Sequence, residues 1–127
     1  MDILIESTKH FEQDLDQLSQ DNRKAVIQTI NDFANLFPEN GSSAYKKLHQ
    51  PSVSLDLNGY DSSLYVLKAV DQLRIILAVD EDPVFDQVIL NLFRVVDRED
   101  VETSYQDIAK VLYQEISHRH RKPAQIS

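Results

Sequence analysis

The sequence contains no cysteine, and this absence excludes several kinds of chemistry at once. A disulfide framework, a thiolate zinc site and a cysteine nucleophile all need a thiol, so none of them can be built from this chain. The absence of cysteine also agrees with a reducing compartment. We therefore expect a cytoplasmic protein.

Long apolar runs are missing as well. No run approaches the roughly 20 residues that a membrane-spanning helix needs. The first eleven residues, MDILIESTKHF, lack the basic, apolar and small-residue sections of a secretory signal peptide. We expect a chain that is neither exported nor bound to a membrane.

Glycine is scarce, with 2 residues in a chain of 127, and we find no internal repeat or low-complexity stretch. The length suits one domain with a single core, and 42% of the residues are hydrophobic. We assign residues 1–117 to this domain. We assign residues 118–127, which carry several basic side chains, to a flexible tail.

Positively charged residues are outnumbered by negatively charged ones, with 13 lysines and arginines against 21 aspartates and glutamates. The net charge is −8. An acidic surface repels a phosphate backbone at long range. A nucleic-acid role would therefore need a local basic patch, or a partner that supplies the charge.

Hydrophobic spacing near the start of the chain predicts a strand followed by a helix. Residues 2–6 form a short apolar run. Phe11, Leu15 and Leu18 then recur at helical spacing, behind Ser7 or Thr8 as the N-cap.

A second helix is predicted from residue 21. Its apolar stripe consists of Val26, Ile30, Phe33 and Phe37. The segment PENG at 38–41 should end this helix, because proline and glycine both disfavour its continuation. Two short helices in sequence indicate a helix hairpin whose stripes must pack against something later in the chain.

Three strand-like runs follow, at residues 64–70, 73–80 and 84–96. Their connections are too short for helical crossovers, so we expect an antiparallel meander with the helices covering one face. A third helix closes the domain, with Tyr105, Ile108, Leu112 and Ile116 aligned on one stripe. The predicted fold class is α+β, with the order β-α-α-β-β-β-α and the sheet packed against the N-terminal helix hairpin.

The register of the first hairpin follows from its charges. A two-residue turn at Asp71 and Gln72 would set Lys68 opposite Ile75 and send an ammonium group into the core. A three-residue or bulged turn sets Lys68 opposite Arg74 on the other face. Because facing cations repel, we expect these two to meet an anion, either a carboxylate of this chain or one from a partner.

Three motifs occur in a suggestive order: KKL at 46–48, LYVLKAVDQLRIIL at 64–77 and VVDREDVETSY at 95–105. With the predicted order of elements, they resemble the RelE/ParE superfamily of small bacterial toxins. The resemblance runs from about Ile3 to Ile116. It implies that the chain is a toxin paired with a cognate antitoxin, which would lay a helix or an added strand over an apolar groove.

RelE-like members are ribosome-dependent endoribonucleases that cut messenger RNA without a metal or other cofactor, and related members inhibit gyrase. The resemblance thus implies the ribosome and messenger RNA as partners. Carried over by position, it implies that Arg74 faces the scissile phosphate and that Arg98 is a second phosphate clamp. Tyr105 would stack or handle protons, and Lys68 would be a fourth catalytic candidate.

Each of these residues also has a structural interpretation. Arg74 could pair with Asp80, Arg98 could join a solvated ion-pair network, and Tyr105 could anchor the last helix. For Arg94, which interrupts an apolar strand, we favour a structural role. The two histidines at 118 and 120 are best explained by a solvated tail.

The surroundings of Arg98 depart from the family pattern. Its neighbours in sequence include the carboxylates Asp97, Glu99, Asp100 and Glu102. They compete for the guanidinium group and repel RNA. Two alternatives to a nuclease therefore stay open: a catalytically weakened protein-binding module with the same fold, and a ParE-like gyrase inhibitor.

Overall fold

The computed structural model describes residues 1–51 and 63–112. The strands are β1 (Asp2–Ser7), β2 (Leu48–His49), β3 (Leu64–Lys68), β4 (Leu73–Asp82) and β5 (Gln87–Asp97). The helices are α1 (Lys9–Gln17), α2 (Gln20–Lys46) and α3, described over residues 101–112 after a 3₁₀ turn at Arg98–Asp100. The predicted α+β class and the order of its elements are confirmed. The two-residue strand β2 was not predicted.

The sheet has the strand order β1-β5-β4-β3-β2. β3, β4 and β5 form the predicted antiparallel meander, and β1 joins its edge by pairing in parallel with β5. The sheet is therefore mixed. The parallel placement of β1 brings the start of the chain next to the last strand.

The hairpin between β3 and β4 has the register that the charges predicted. Lys68 lies opposite Arg74. The main-chain N–H of Ala69 donates to the carbonyl of Leu73 over 3.0 Å. Three residues thus form the turn, and its middle residue, Asp71, has a φ of 53°.

Helices cover both faces of the sheet, so the expectation of helices on one face is wrong for α3. The core under α1 and α2 includes Phe11, Val26, Ile30, Phe33, Phe37, Leu67, Ile75, Leu77, Val79, Leu90 and Leu92. The core under α3 consists of Leu64, Val66, Ile76, Ala78, Val96, Val101, Tyr105 and Ala109. The reason lies in β4, whose residues 75–79 are all buried. A central strand that is apolar on both sides needs a layer on each side.

The helix is interrupted at the segment PENG, as predicted, but a second helical segment follows it within α2. Asn40 has non-helical backbone angles, φ −161° and ψ 94°. Its side-chain oxygen accepts a hydrogen bond from the main-chain N–H of Ser43 over 3.3 Å, as an N-cap does. The helix therefore restarts and continues to Lys46, where Tyr45 packs edge-to-face on Phe37 with 5.7 Å between ring centroids.

Several predicted element boundaries shift by one to three residues, and one of the predicted N-caps is selected. Thr8, one of the two predicted caps, accepts from the main-chain N–H of Phe11 over 3.1 Å. The last strand begins at Gln87 rather than at residue 84, because Val84 and Phe85 lie in the preceding turn. Ile116 and the predicted tail at 118–127 lie outside the described residues.

No helix within residues 1–51 and 63–112 is long and apolar enough to span a bilayer.

Candidate functional site

Two of the predicted site residues face each other across the β3–β4 hairpin. Lys68 is exposed and lies opposite Arg74, which in turn lies opposite Val96 of β5. Residues paired in this way point to the same face, here the face that α3 covers. The Arg74 Nη1 group donates to the main-chain carbonyls of Asp71 over 3.1 Å and Leu73 over 2.9 Å. The turn therefore holds the guanidinium group at this end of the sheet.

Arg98 reaches the same end of the sheet from the other side. Its main-chain N–H donates to the carbonyl of Gln72, in the β3–β4 turn, over 2.7 Å. Its side chain is exposed. Lys68, Arg74 and Arg98 thus come from three separate segments and meet around one turn. We call these three residues the cationic end.

Within the described part of the chain, no residue of the cationic end forms an ion pair. Arg74 binds main-chain carbonyls rather than Asp80. Arg98 forms no ion pair with the exposed carboxylates beside it within residues 1–51 and 63–112. Exposed carboxylates lie at the same end, at Asp71, Asp97, Glu99 and Asp100. A cation that forms no ion pair with them can still bind an external anion, and guanidinium groups suit phosphate.

Tyr105 lies apart from the cationic end, in the core under α3. It is 2% exposed, and its hydroxyl donates to the carbonyl of Leu64 over 2.7 Å. Buried tyrosines usually find such a partner for the hydroxyl. This geometry supports the interpretation of Tyr105 as the residue that anchors α3. The structure brings three of the predicted site residues together and keeps the fourth beneath the surface.

Arg94 has the structural role expected of it. Its Nε donates to Asp14 of α1 over 2.7 Å and its Nη2 over 3.1 Å, and the hydrogen bond to Asp14 raises the pKa of Arg94. The same carboxylate accepts from the main-chain N–H of Val95 over 2.9 Å. β1 ends at Ser7, opposite Leu92, so β5 has no neighbouring strand on this side beyond Leu92. Asp14 accepts the hydrogen bond from the Val95 N–H that a neighbouring strand would otherwise accept.

A groove between α2 and β3 was not predicted. Its volume is about 570 Å³, and it is lined by Thr29, Asp32, Phe33, Leu36, Lys47, Leu67, Lys68 and Ala69. We call it the α2–β3 groove. Its lining comes from three segments that are distant in sequence, and no local pattern joins them.

Carboxylates gather at the opposite end of the sheet, in the β4–β5 hairpin. They are Asp80, Glu81, Asp82 and Asp86, and we call this region the acidic end. Its charge affects Tyr45 of α2. Burial raises the pKa of Tyr45 to about 12, with a further contribution from Glu81.

The described residues contain no group of three or more histidine, aspartate or glutamate side chains placed to hold a metal ion. The histidines at 118 and 120 lie outside these residues.

The chain was compared with family models, curated proteins and solved structures. No family model matches the chain, and no curated protein matches it. Among solved structures, it is similar to the toxin–antitoxin complex RelBE2 from Mycobacterium tuberculosis, with 15% sequence identity and a TM-score of 0.44. The match covers 77% of this chain and 100% of the other. The resemblance to the RelE/ParE superfamily therefore stays an expectation from the motifs of the sequence.

Proposed function

We propose that the chain is the toxin of a type II toxin–antitoxin pair and acts as a ribosome-dependent endoribonuclease of the RelE type. The observation that carries the proposal is the cationic end, where Lys68, Arg74 and Arg98 meet without an ion pair among the described residues. The motif order in the sequence supplies the family. The geometry supports the proposal because three of the four predicted residues lie around one turn of the sheet.

The proposed reaction uses the RNA itself as nucleophile. The 2′-oxygen forms a bond to phosphorus while the bond to the 5′-oxygen breaks, leaving a 2′,3′-cyclic phosphate and a 5′-hydroxyl. Arg74 and Arg98 stabilise the negative charge that builds up on the phosphorane. The Lys68 ammonium group gives a proton to the departing oxygen, and an exposed carboxylate beside Arg98, Asp97 or Glu99, accepts the proton of the 2′-hydroxyl.

The net charge of −8 gives the ribosome a specific part in this proposal. Free RNA is repelled by the acidic surface at long range. A messenger RNA held in the ribosome is already positioned, so the cationic end has only to engage one phosphate group. We propose an antitoxin as the second partner, since it would keep the cationic end from RNA.

Induced expression in a bacterial host tests the proposal. We expect growth to stop and transcripts to be cut on translating ribosomes. Arg74→Ala and Arg98→Ala should each relieve the arrest. Lys24→Ala, which removes an exposed cation from α2, should not. Normal growth with intact transcripts at the same protein level would contradict the proposal.

A second function, a protein-binding module without catalysis, is favoured by one observation. Tyr105, which the family pattern implies as a site residue, is buried, and its hydroxyl is bonded within the core rather than presented at the surface. In that case expression would leave transcripts intact, and a stable protein partner would be recovered with the chain. Recovery of no partner, even when a candidate antitoxin is co-expressed, would exclude this function.

A further inference from the structure

One edge of the sheet, formed by β1, has no neighbouring strand in the described part of the chain. The main-chain N–H of Asp2 donates to the carbonyl of Asp86, next to β5, over 3.0 Å. In a parallel pair, alternate residues of a strand bond to the same neighbour. The main-chain groups of Ile3, Ile5 and Ser7 therefore point away from β5. We call this side of β1 the β1 edge.

The β1 edge lacks the features that usually protect an edge strand. Short length, lysine, proline and bulges all hinder pairing with another chain. β1 has six residues, DILIES, and pairs with β5 without a register shift. Two of its apolar side chains, Leu4 and Ile5, are 43% and 44% exposed. By contrast, the strand at the other edge, β2, has only two residues. The β1 edge can therefore accept a further strand.

Hydrogen bonding and charge restrict how two copies of β1 can pair. In an antiparallel two-fold pair, residues that point outward must face residues that point outward. A pair centred on Leu4 would set Asp2 opposite Glu6, and a pair centred on Glu6 would set it opposite itself. Like charges in such positions destabilise a sheet. Centres closer to the start of the chain leave fewer residues to pair.

A pair centred on Ile5 avoids these contacts. Asp2 then faces Thr8 of the other copy, and Glu6 faces Leu4. The two Ile5 side chains meet at the centre, on the face that α1 and α2 cover, since Ile5 lies opposite the buried Leu90 of β5. Pairs of apolar β-branched residues stabilise neighbouring strands. The strand is thus complementary to itself in this register.

The same register brings opposite charges together. Lys9 follows Thr8 at the start of α1, so it would lie beside Asp2 of the other copy. Both side chains are exposed, and neither forms an ion pair within residues 1–51 and 63–112. Two-fold symmetry repeats the contact, giving one at each end of the pair. Opposite charges placed in this way orient two surfaces as they approach.

We therefore propose that a second copy of the chain pairs with the β1 edge, antiparallel and centred on Ile5, so that the two sheets join into one. The favoured occupant is a second copy because the sequence of β1 matches itself in hydrogen bonding, apolar contact and charge. The pairing uses no residue of the cationic end, so it is independent of the proposed nuclease function.

Sedimentation and light scattering of the purified chain over a wide concentration range test the proposal. Two copies with a net charge of −8 repel each other, so the measurement is made at about 0.15 M salt, where the screening length is about 8 Å. We expect the average mass to rise from that of a monomer to that of a dimer and no further, because pairing uses up the β1 edge of both copies.

Two substitutions should weaken the dimer while leaving the ladder between β1 and β5 in place. Ile5→Lys should weaken it by at least about tenfold, because the central apolar contact is replaced by two facing cations. Ser7→Pro removes an N–H that points away from β5, a position where a strand tolerates proline. Val111→Lys is the matched control, since Val111 is 61% exposed on α3, and it should leave dimerisation unchanged. Circular dichroism checks that each variant is folded.

A mixing experiment tests the register. Ile5→Glu should weaken the dimer as Ile5→Lys does, because two carboxylates then face each other. When the two variants are mixed, each lysine faces a glutamate only if the pair is centred on Ile5. We expect the mixture to form one-to-one dimers that neither variant forms alone at the same concentration.

Three results would overturn the proposal. A monomer at every concentration would leave the β1 edge for a strand of a different protein. Association that Ile5→Lys weakens no more than Val111→Lys does would place the contact elsewhere. Failure of the mixed variants to pair would exclude the register. Growth arrest by the chain is measured separately, so each of these results leaves the proposed nuclease function intact.

Discussion

The two turns of the β3–β4–β5 meander are built in a similar way and present opposite chemistry. Each contains an aspartate with positive φ, 53° at Asp71 and 51° at Asp86. Around the first turn, Arg74 and Arg98 are bonded to main-chain carbonyls, and Lys68 lies beside them. Around the second, carboxylates surround two exposed apolar side chains.

This difference shows that the net charge of the chain says little about its surfaces. A charge of −8 predicts repulsion of RNA, yet the three cations of the cationic end form no ion pair within the described residues, even with the exposed carboxylates beside them. The excess of carboxylates lies partly at the far end of the sheet. We therefore expect the two ends of the sheet to differ in function, and substitutions at each end test this difference.

The largest effect should come from removing a cation at the cationic end. If the proposed nuclease function holds, Arg74→Ala should lower ribosome-dependent cleavage by about 100-fold, because one group that would stabilise the phosphorane is lost. Cleaved transcripts are measured with purified ribosomes. Asp80→Ala makes a comparable truncation at the acidic end and should leave cleavage unchanged. Equal losses in both variants would show that the two ends do not differ in function.

The next largest effect is a loss of stability, and it tests whether Arg94 has a structural role distinct from that of the cationic end. Asp14→Ala leaves the Arg94 guanidinium group and the Val95 N–H without their partner, so we expect a loss of about 2 kcal/mol in the free energy of unfolding. Urea denaturation measures it. Asp16→Ala, on the exposed side of α1, should change stability by less than about 0.5 kcal/mol. If folded Asp14→Ala protein lost its cleavage activity, Arg94 would have to be counted within the site.

A smaller effect decides the role of Tyr105. Tyr105→Phe removes the hydrogen bond to Leu64 and should cost about 1 kcal/mol of stability. Because the hydroxyl is buried, cleavage per folded molecule should stay the same. A large loss of cleavage with unchanged stability would place Tyr105 in the site after all.

The last effect concerns the acidic end and is expected only at alkaline pH. The pKa of Tyr45 is raised from 10.0 to about 12, first by burial and then by Glu81. A raised folded-state pKa means that the associated stability is fully present below pH 10 and is lost as the pH rises toward 12. Urea denaturation across this window should show the decline. Tyr45→Phe should flatten it, and Glu81→Gln should move it to lower pH.

Much of the fold could be predicted from the sequence because its signals are local. Apolar spacing located the helices and strands, and the cost of burying Lys68 selected the three-residue turn. Proline and glycine at 38–41 marked the bend in α2. They did not indicate the short helical segment that follows, which the burial of Ala44 and the packing of Tyr45 stabilise.

The candidate site was predictable only in part. Arg74 and Lys68 are neighbours in one hairpin, so their meeting follows from its register. Arg98 joins them through a hydrogen bond to Gln72 that no sequence pattern specifies. The apolar stripe of α3 placed Tyr105 equally well in a core or at a surface site, and only the position of Leu64 resolves the choice.

By itself, the sequence determined the order of the elements and the hairpin register, since each depends on residues close together in the chain. It also determined the excess of negative charge, which depends on composition alone. The tertiary structure decided which contacts form between distant segments. Asp14 and Arg94 are 80 positions apart, β1 pairs with β5, and α3 covers the second face of the sheet. Such contacts depend on how the layers pack to bury both faces of β4, and that packing is a property of the whole domain rather than of any one segment.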